Sequence, residues 1–389
     1  MNASTLQFEL DLRPRPLCSS ALELRQAVRR FLEEELKSRS FEPTVDAWLR
    51  GFDRGFSRTL AERGWVGMTI PTHYGGHGRS QVERFVVIEE LLAAGAPVAA
   101  HWIADRQAAN SILSFGSEPI KRRVLPRIAR GDCVVAIGYS EPDVGSDLAS
   151  VRTRAERTRE GWRLTGTKIW TSHAHHADLL VVLCRTSPRT EDRHAGLSVM
   201  VVELPHPKVK ARPVLLMTGE HHFNEVVLEG VDVPEEMVLG QVGEGWKVVT
   251  SDLALERSGP ERFLSTYPVL VEMLRRAAET GDRCAGRAVA SLAAQLYALR
   301  AMSLAVAQSL DAGDSPIIAA AVVKDIGTRF EQEIAETARH IFACEPSLDA
   351  SDPLQRHLAV ALMHSPAYTV RGGTNEILRG IVAKGLGLR

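Results

Sequence analysis

Two short segments carry side chains that could hold a flat, polar ligand. They are residues 137–147, IGYSEPDVGSD, and residues 167–172, TKIWTS. Each lies at the end of an apolar run typical of a β-strand, and each offers hydroxyl and backbone N–H groups as hydrogen-bond donors. Three carboxylates make the first segment acidic, so it is poorly suited to a bare phosphate. Trp170 supplies an indole against which a planar ligand can pack.

These two segments resemble the flavin-binding signatures of the acyl-CoA dehydrogenase family. In that family a small β-domain holds the isoalloxazine ring of FAD between two helical domains. The later segments of the chain follow the same family order, so the resemblance covers nearly the whole sequence. The alternative is a surface hairpin with ordinary turn residues, which would not account for that order.

The composition indicates a soluble globular protein. The chain has 389 residues, 44% of them hydrophobic and 24% charged, and a net charge of −1. That charge gives no footprint for nucleic acid or an anionic membrane. We find no apolar run approaching ~18 residues and no signal-peptide layout, so we expect no membrane segment and a cytoplasmic location. Five scattered cysteines indicate reduced thiols.

The hydrophobic patterns divide the chain into three parts, and the predicted fold class is mainly α with a central β-domain, acyl-CoA dehydrogenase-like. Helical periodicity marks the first and last parts, whereas short β-branched runs bounded by Gly, Pro and Asp mark the middle part as a barrel or sandwich. The predicted domains are residues 1–132, 133–240 and 241–389. The predicted N-terminal helices span 21–36, 48–63, 82–94 and 107–115, and the predicted strands span 162–169, 179–184, 197–203, 209–216 and 225–233.

Two apolar stripes predict long helices in a C-terminal four-helix bundle that also packs against other subunits, as in the family. Their members are Leu292, Leu296, Leu299, Met302, Val306 and Leu310 in one, and Ile326, Phe330, Ile334, Ala338 and Ile341 in the other. No dinucleotide-binding fingerprint in its strand and helix context supports a Rossmann fold.

Five histidines in the middle part raise the question of a metal site. They are His173, His175, His176, His221 and His222. No two of them lie four residues apart on a helix with a carboxylate partner, so we predict no metal.

Thioester α,β-desaturation needs a base for the α-proton, a hydride acceptor over the β-carbon and hydrogen bonds to the carbonyl. Many family members supply the base from a Glu-Gly-Thr element near the C-terminus, but here Gly372 stands in place of that Glu. Residues 255–257, Leu-Glu-Arg, resemble the run that carries the base in isovaleryl-type, long-chain and steroid-side-chain members. Glu256 is therefore the predicted base, and the alternative is a solvated helix carboxylate.

The resemblance also implies the remaining site residues. The backbone N–H of Gly372, together with a ribityl hydroxyl of the flavin, would hold the thioester carbonyl. Predicted FAD contacts are Ile137, Tyr139, Ser140, Trp170, Thr171, Ser172, Thr374 and Glu376, and predicted acyl-CoA contacts are Gly145, Ser146 and Arg257. Glycine at position 372 leaves room for a bulky or branched acyl group.

The resemblance implies an electron-transfer flavoprotein as the acceptor and a tetrameric assembly. Residues 283–286 and 340–345 do not reproduce the two family elements that reach a neighbouring subunit's flavin. Both a homotetramer and a heterotetramer with a sister subunit therefore remain open. So do a carrier-protein thioester in place of CoA, and a flavin monooxygenase, a lyase or a partner subunit in place of a dehydrogenase.

Overall fold

The computed structural model describes residues 12–251 and 257–388. Within that part of the chain there are two compact units. The helical unit contains the chain up to Leu32, Gln81–Ala93 and the chain from Arg257 onward, and the β-containing unit contains Glu33–Ser80 and the chain from Ala94 to residue 251. The predicted domain boundaries after residues 132 and 240 stay a prediction.

The α-helices, in chain order, have the following bounds. They are α1 Ser19–Lys37, α2 Ala47–Arg50, α3 Arg54–Glu62, α4 Gln81–Ala93, α5 Ala99–Ile103, α6 Ala109–Phe115, α7 Glu118–Ala129, α8 Gly245–Ser251, α9 Tyr267–Thr280, α10 Arg283–Asp311, α11 Ile317–Ile341, α12 Pro353–Tyr368 and α13 Asn375–Gly385. A π-helical turn, Ala104–Ala108, joins α5 to α6.

Eight strands form one sheet in the β-containing unit. They are β1 Val135–Gly138, β2 Arg154–Arg157, β3 Gly161–Ser172, β4 Leu179–Arg185, β5 Leu197–Glu203, β6 Val209–Leu215, β7 His221–Pro234 and β8 Val238–Leu239. Their order is β6-β7-β3-β2-β4-β5-β8, with β1 paired to β4 in parallel. The predicted fold class, mainly α with a central β-domain, is confirmed.

The burial of each strand follows from its sequence. In β4 and β5 every residue but the last is buried, as expected for apolar runs covered on both faces. In β7 exposure alternates, and β6, at the edge of the sheet, is largely exposed.

The predicted continuous helix over 48–63 is wrong, because the helix is interrupted between the end of α2 at Arg50 and the start of α3 at Arg54. A Cβ on Gly51 would lie 2.6 Å from the Cα of Pro97. Asp53 then caps α3, since its carboxylate accepts a hydrogen bond of 2.9 Å from the N–H of Phe56.

Helix α10 packs against α4, α9 and α11, and α11 packs against α12 and α13. The predicted stripe on α10 is buried at Leu292, Leu299 and Val306. One expectation needs correction: an 18-residue window of α10 has a mean hydropathy of 1.4, so by length and composition alone this helix could cross a membrane. Its packing in the helical unit is that of a bundle helix.

The second predicted stripe is wrong at its ends, because Ile326 and Ile341 are 37% and 36% exposed. Phe330, Ile334 and Ala338 are buried as predicted, and the buried face of α11 also includes Val323 and Gly327. Gly327 is required there, since a Cβ would lie 2.4 Å from the carbonyl oxygen of Arg262. The close approach at Gly327 thus determines which face of α11 packs inward, and Ile326 and Ile341 lie at the edge of that face.

Candidate active site

The two predicted ligand-binding segments meet in the β-containing unit. The N–H of Ile169, on β3, donates a 3.0 Å hydrogen bond to the carbonyl oxygen of Ser140, which follows β1. This bond joins the loop after β1 to the end of β3. Ile137, Tyr139, Ser140 and Ser172 are partly exposed around the junction.

A buried ion pair braces this junction. Lys168 Nζ lies 2.8 Å from Glu141 Oε1 and 3.1 Å from the carbonyl oxygen of Tyr139, and the two side chains are 0% and 6% exposed. Glu141 also accepts backbone N–H bonds of 2.7 Å and 2.8 Å from Arg152 and Thr153. Burial alone would raise the pKa of Glu141, but the Lys168 charge and these hydrogen bonds hold it below its usual value.

Of the three carboxylates in the first segment, that of Glu141 is thus neutralised inside the protein by Lys168, whereas those of Asp143 and Asp147 are exposed. The sequence interpretation missed Lys168. Its position in β3 held a signal, since it lies on the same side of an alternating strand as the buried Leu164.

A β-bulge turns Trp170 out of the sheet. Lys168 pairs with Val226 and Thr171 with Asn224, so two residues of β3 face one residue of β7. Trp170 has a φ of 56°, and its indole is 55% exposed. Its ring lies edge-on to Phe223 with centroids 5.8 Å apart. The indole is thus presented as a surface for a planar ligand.

Thr171, the next residue of β3, is buried. Its Oγ1 is buried and has no hydrogen-bond partner among the residues that the structure describes. A buried hydroxyl of this kind normally has a partner. Because Thr171 is 0% exposed, its hydroxyl offers no surface to a ligand, and its predicted FAD contact stays a prediction. The exposed indole and the partly exposed Ser140 and Ser172 fit the ring and the polar edge of a flavin.

The histidines pack behind this segment. His175 stacks on His221 with centroids 3.7 Å apart, and their ring nitrogens lie 3.2 Å and 2.8 Å from Asn224 Oδ1. Asn224 Nδ2 donates to the carbonyl oxygen of Thr171 at 3.0 Å. Burial lowers the pKa of His173 to about 3 and that of His175 to about 4, so both rings are neutral at pH 7. The absence of a metal stays a prediction.

Gly145 and Ser146 lie in an exposed loop. A Cβ on Gly145 would meet nothing within 4 Å, so the space beside this glycine is open. Next to it Asp147 pairs with Arg193. The predicted contact of Gly145 and Ser146 with acyl-CoA stays a prediction.

In the helical unit, the loop between α12 and α13 carries a pair of left-handed glycines. Gly372 and Gly373 have φ values of 69° and 86°, which other residues adopt only with strain. The N–H of Gly372 has no acceptor within the two described ranges, although its carbonyl oxygen accepts a bond from Arg257 Nε at 3.2 Å. This arrangement leaves a backbone donor for a ligand.

Three predicted residues around this loop have observed structural roles. Arg257 is only 5% exposed and bonds the loop, so its predicted acyl-CoA contact stays a prediction. Thr374 caps α13, since its Oγ1 accepts from the N–H of Ile377 at 3.4 Å. Hydrogen bonds from its own N–H and from Thr374 hold the pKa of Glu376 below its usual value, and its predicted FAD contact stays a prediction. Glu256, the predicted base, lies outside the described residues.

Comparison with known proteins decides the family. Acyl-CoA dehydrogenase N-terminal, middle and C-terminal domains match residues 19–132, 136–231 and 243–387. The acyl-CoA dehydrogenase IpdE1 of Mycobacterium tuberculosis is 33% identical over 339 residues, which cover 85% of this chain and 86% of the relative. The chain belongs to the acyl-CoA dehydrogenase family. It is an oxidoreductase of that type, and members of the family depend on FAD.

Two solved structures resemble the chain over nearly its whole length. The "Tcur3481-Tcur3483 steroid ACAD" has a TM-score of 0.84 at 28% identity and covers 98% of this chain and 100% of its own. The ChsE4-ChsE5 complex of Mycobacterium tuberculosis has a TM-score of 0.79 at 28% identity and covers 96% and 99%.

Proposed function

We propose that this acyl-CoA dehydrogenase removes hydrogen from Cα and Cβ of a bulky or branched acyl-CoA to give the trans-2-enoyl thioester, and passes the electrons to an electron-transfer flavoprotein. The observation that carries the proposal is the Gly372 loop. It lacks the carboxylate that many relatives have there, yet it keeps a left-handed glycine whose N–H has no acceptor in the described chain.

The proposed roles follow from the chemistry. Bound FAD supplies the hydride acceptor, and the outward Trp170 indole and the partly exposed Ser172 hydroxyl are the groups we assign to holding its ring. Gly372 N–H donates to the thioester carbonyl, which stabilises the negative charge that develops on that oxygen as the α-proton leaves. A backbone donor serves this role regardless of the side chain at position 372. We assign the α-proton to Glu256.

The substrate class rests on the same glycine. A residue without a side chain at position 372 removes volume from the wall of the acyl cavity, and a base delivered from residue 256 does not require it. A structural relative at 28% identity is described as a "steroid ACAD", which supports a bulky acyl group.

We further propose that the chain is cytoplasmic and assembles into a heteromeric tetramer. All five of its cysteines are free thiols, as expected in a reducing compartment. Residues 283–286 and 340–345 lack the family elements that complete a neighbour's flavin site, so a sister chain would supply them. One structural relative is a complex of two differently named chains, which supports this assembly over a homotetramer.

Anaerobic mixing of the FAD-loaded protein with a panel of thioesters tests the reaction. The panel contains butyryl-, octanoyl-, isovaleryl-, cyclohexanecarbonyl- and steroid-side-chain-acyl-CoA, together with the carrier-protein thioester of the best acyl group. We expect stoichiometric flavin bleaching and enoyl product, fastest with a branched or cyclic CoA thioester. Preference for straight chains would contradict the substrate class. Bleaching by none of them would favour a monooxygenase, a lyase or a partner subunit.

Expression of the chain alone and together with a related chain tests the assembly. We expect the single chain to be poor in flavin and to gain FAD as a mixed tetramer. A stable homotetramer with one FAD per subunit and full activity would exclude the heteromeric proposal.

A further inference from the structure

We propose that Lys324 is a positioning residue for the Gly372 amide, an inference that rests on the proposed function. Lys324 lies on α11 and is 0% exposed. Its Nζ donates to the carbonyl oxygens of Thr369 and Gly373 at 3.1 Å and 2.7 Å, and to Asn375 Oδ1 at 2.7 Å. An ammonium group has three N–H donors, and these three acceptors lie on both sides of Gly372 in the sequence.

The three bonds close the loop into a ring. Thr369 precedes Gly372, whereas Gly373 and Asn375 follow it, so one nitrogen ties the entry of the loop to its exit. The N–H of Asn375 also donates to the carbonyl oxygen of Thr369 at 3.0 Å. Asn375 is itself held, because its Nδ2 lies 3.2 Å from Thr328 Oγ1 on α11. Gly372 therefore sits inside a segment whose two ends are fixed to one helix.

Two further cationic side chains restrain the middle of the loop. Arg257 bonds the carbonyl oxygen of Gly372 at 3.2 Å, and its Nη2 would lie 3.1 Å from a Cβ on Gly373. Arg371 Nη2 donates to Ser265 Oγ at 2.8 Å. These contacts involve carbonyl oxygens of the loop and the side chain of Arg371, but not the N–H of Gly372. The N–H of Gly372 therefore remains available to donate a hydrogen bond to an oxygen atom of a ligand.

The charge at this loop suits the chemistry. Arg257 and Lys324 bond carbonyl oxygens of the loop, whereas the charge of Arg371 is shared with Glu331 at 3.6 Å. Two cations thus lie beside a backbone donor that would face a thioester oxygen, and such an oxygen becomes negative as the α-carbon loses its proton. Burying an ammonium among carbonyls has a large desolvation cost, which a loop with no positional task would not require. Lys324 therefore acts through Gly372 and need not touch the substrate.

The test compares a carbonyl-containing ligand with one that lacks the carbonyl. The variants are Lys324→Met and Asn375→Ala in the FAD-loaded protein, with Lys384→Met as the control, since Lys384 is an exposed lysine on α13. The probes are the panel thioester that bleaches wild type fastest and the S-alkyl thioether of the same CoA. Single-turnover bleaching reports the reaction, and calorimetry reports the affinity of the thioether.

We expect Lys324→Met to slow bleaching by about tenfold to a hundredfold, which is less than the roughly hundredfold to thousandfold loss when an oxyanion donor is removed outright, because the Gly372 N–H stays but loses its fixed direction. FAD content and thioether affinity should stay near wild type. Asn375→Ala should show a smaller loss of the same kind, and Lys384→Met none. Bleaching by Lys324→Met at the wild-type rate, or equal losses with thioester and thioether, would overturn the inference. If Lys324→Met does not fold, Asn375→Ala decides on the same criteria. If no thioester bleaches wild type, the proposed function itself fails and this inference falls with it.

Discussion

The junction at β1 and β3 and the loop between α12 and α13 are both braced by a lysine that is 0% exposed, but the two lysines have different partners. Lys168 shares its charge with the carboxylate of Glu141. The hydrogen bonds of Lys324 go to two carbonyl oxygens and one amide oxygen. The first brace is an ion pair with one added bond to the carbonyl oxygen of Tyr139, whereas the second bonds two backbone carbonyl oxygens and the Asn375 side chain.

This difference matches what each region has to present. At the first junction the groups that we propose for the ligand are side chains, the Trp170 indole and the Ser172 hydroxyl, so a rigid pair of strand ends is sufficient. At the second the proposed group is a backbone N–H, whose direction depends on the peptide planes beside it. Bonds to the neighbouring carbonyls control those planes directly. We therefore expect changes at Lys168 to act mainly on stability and FAD retention, and changes at the Gly372 loop to act mainly on rate.

The largest effect on stability is expected from Lys168→Met. The change leaves Glu141 as a buried carboxylate without its cation, and breaking a buried ion pair costs about 3–5 kcal/mol. Thermal unfolding and FAD content measure the result. Arg163→Met, at an exposed position of the same strand, is the control and should change little. A Lys168→Met protein with wild-type stability and full FAD would show that the pair does not brace the junction.

The second effect concerns acid. Burial lowers the pKa of His101 to about 4, and its Nδ1 lies 2.8 Å from Ser57 Oγ. Below about pH 6.5 the imidazole of His101 is protonated in the unfolded chain but stays neutral in the folded chain. The contribution of His101 to the free energy of unfolding is therefore fully present above that pH and is lost as the pH falls toward 4. Between pH 7.5 and 5 the contribution lost is about 2 kcal/mol.

Denaturant unfolding at both pH values checks this prediction with His101→Gln. The variant should lose less stability on acidification than wild type, whereas His73→Gln, at an exposed histidine, should not differ from wild type. The same acid dependence in His101→Gln and wild type would contradict the assignment. His101 belongs to the β-containing unit, so this prediction concerns that unit and not the region around Lys324.

The sequence predicts the strands well, because apolar runs such as 197–203 are bounded by turn residues and buried on both faces. It predicts the two flavin segments by resemblance. It does not predict the bulge at Trp170 or the pairing of Lys168 with Glu141, because both depend on which strands become neighbours. The exposure of Ile326 and Ile341 was missed for a similar reason: the inward face of α11 is set by close packing at Gly327, which periodicity of large residues does not show.

A smaller effect on stability, with a large effect on rate, is expected from Gly372→Ala. A left-handed residue other than glycine costs about 1–2 kcal/mol. Gly281→Ala is a matched control, since Gly281 has a φ of 65° and a Cβ there would meet nothing within 4 Å. Both variants should lose similar stability in thermal unfolding, but only Gly372→Ala should slow flavin bleaching, by about tenfold or more. Equal bleaching rates in the two variants would separate the Gly372 loop from the reaction.

The smallest effect on stability is expected from Trp170→Ala. Its indole is 55% exposed, so its removal should leave the melting temperature of the apoprotein near that of wild type. FAD affinity, measured by fluorescence titration, should fall about tenfold, because a stacked aromatic partner contributes about 1 kcal/mol or more. Leu215→Ala removes another exposed apolar side chain of the same unit and should leave FAD affinity unchanged. Unchanged affinity in Trp170→Ala would remove the indole from the flavin site.

The most direct test of the proposed reaction is flavin bleaching by Glu256→Gln under anaerobic conditions, with the panel thioester that bleaches wild type fastest. The variant should bind FAD as wild type does, since the change removes only a charge. If Glu256 takes the α-proton while Gly372 holds the carbonyl, bleaching should fall by at least about a hundredfold. Bleaching at near the wild-type rate would contradict the account, because the base would then lie elsewhere and the missing carboxylate at position 372 would be left without a replacement.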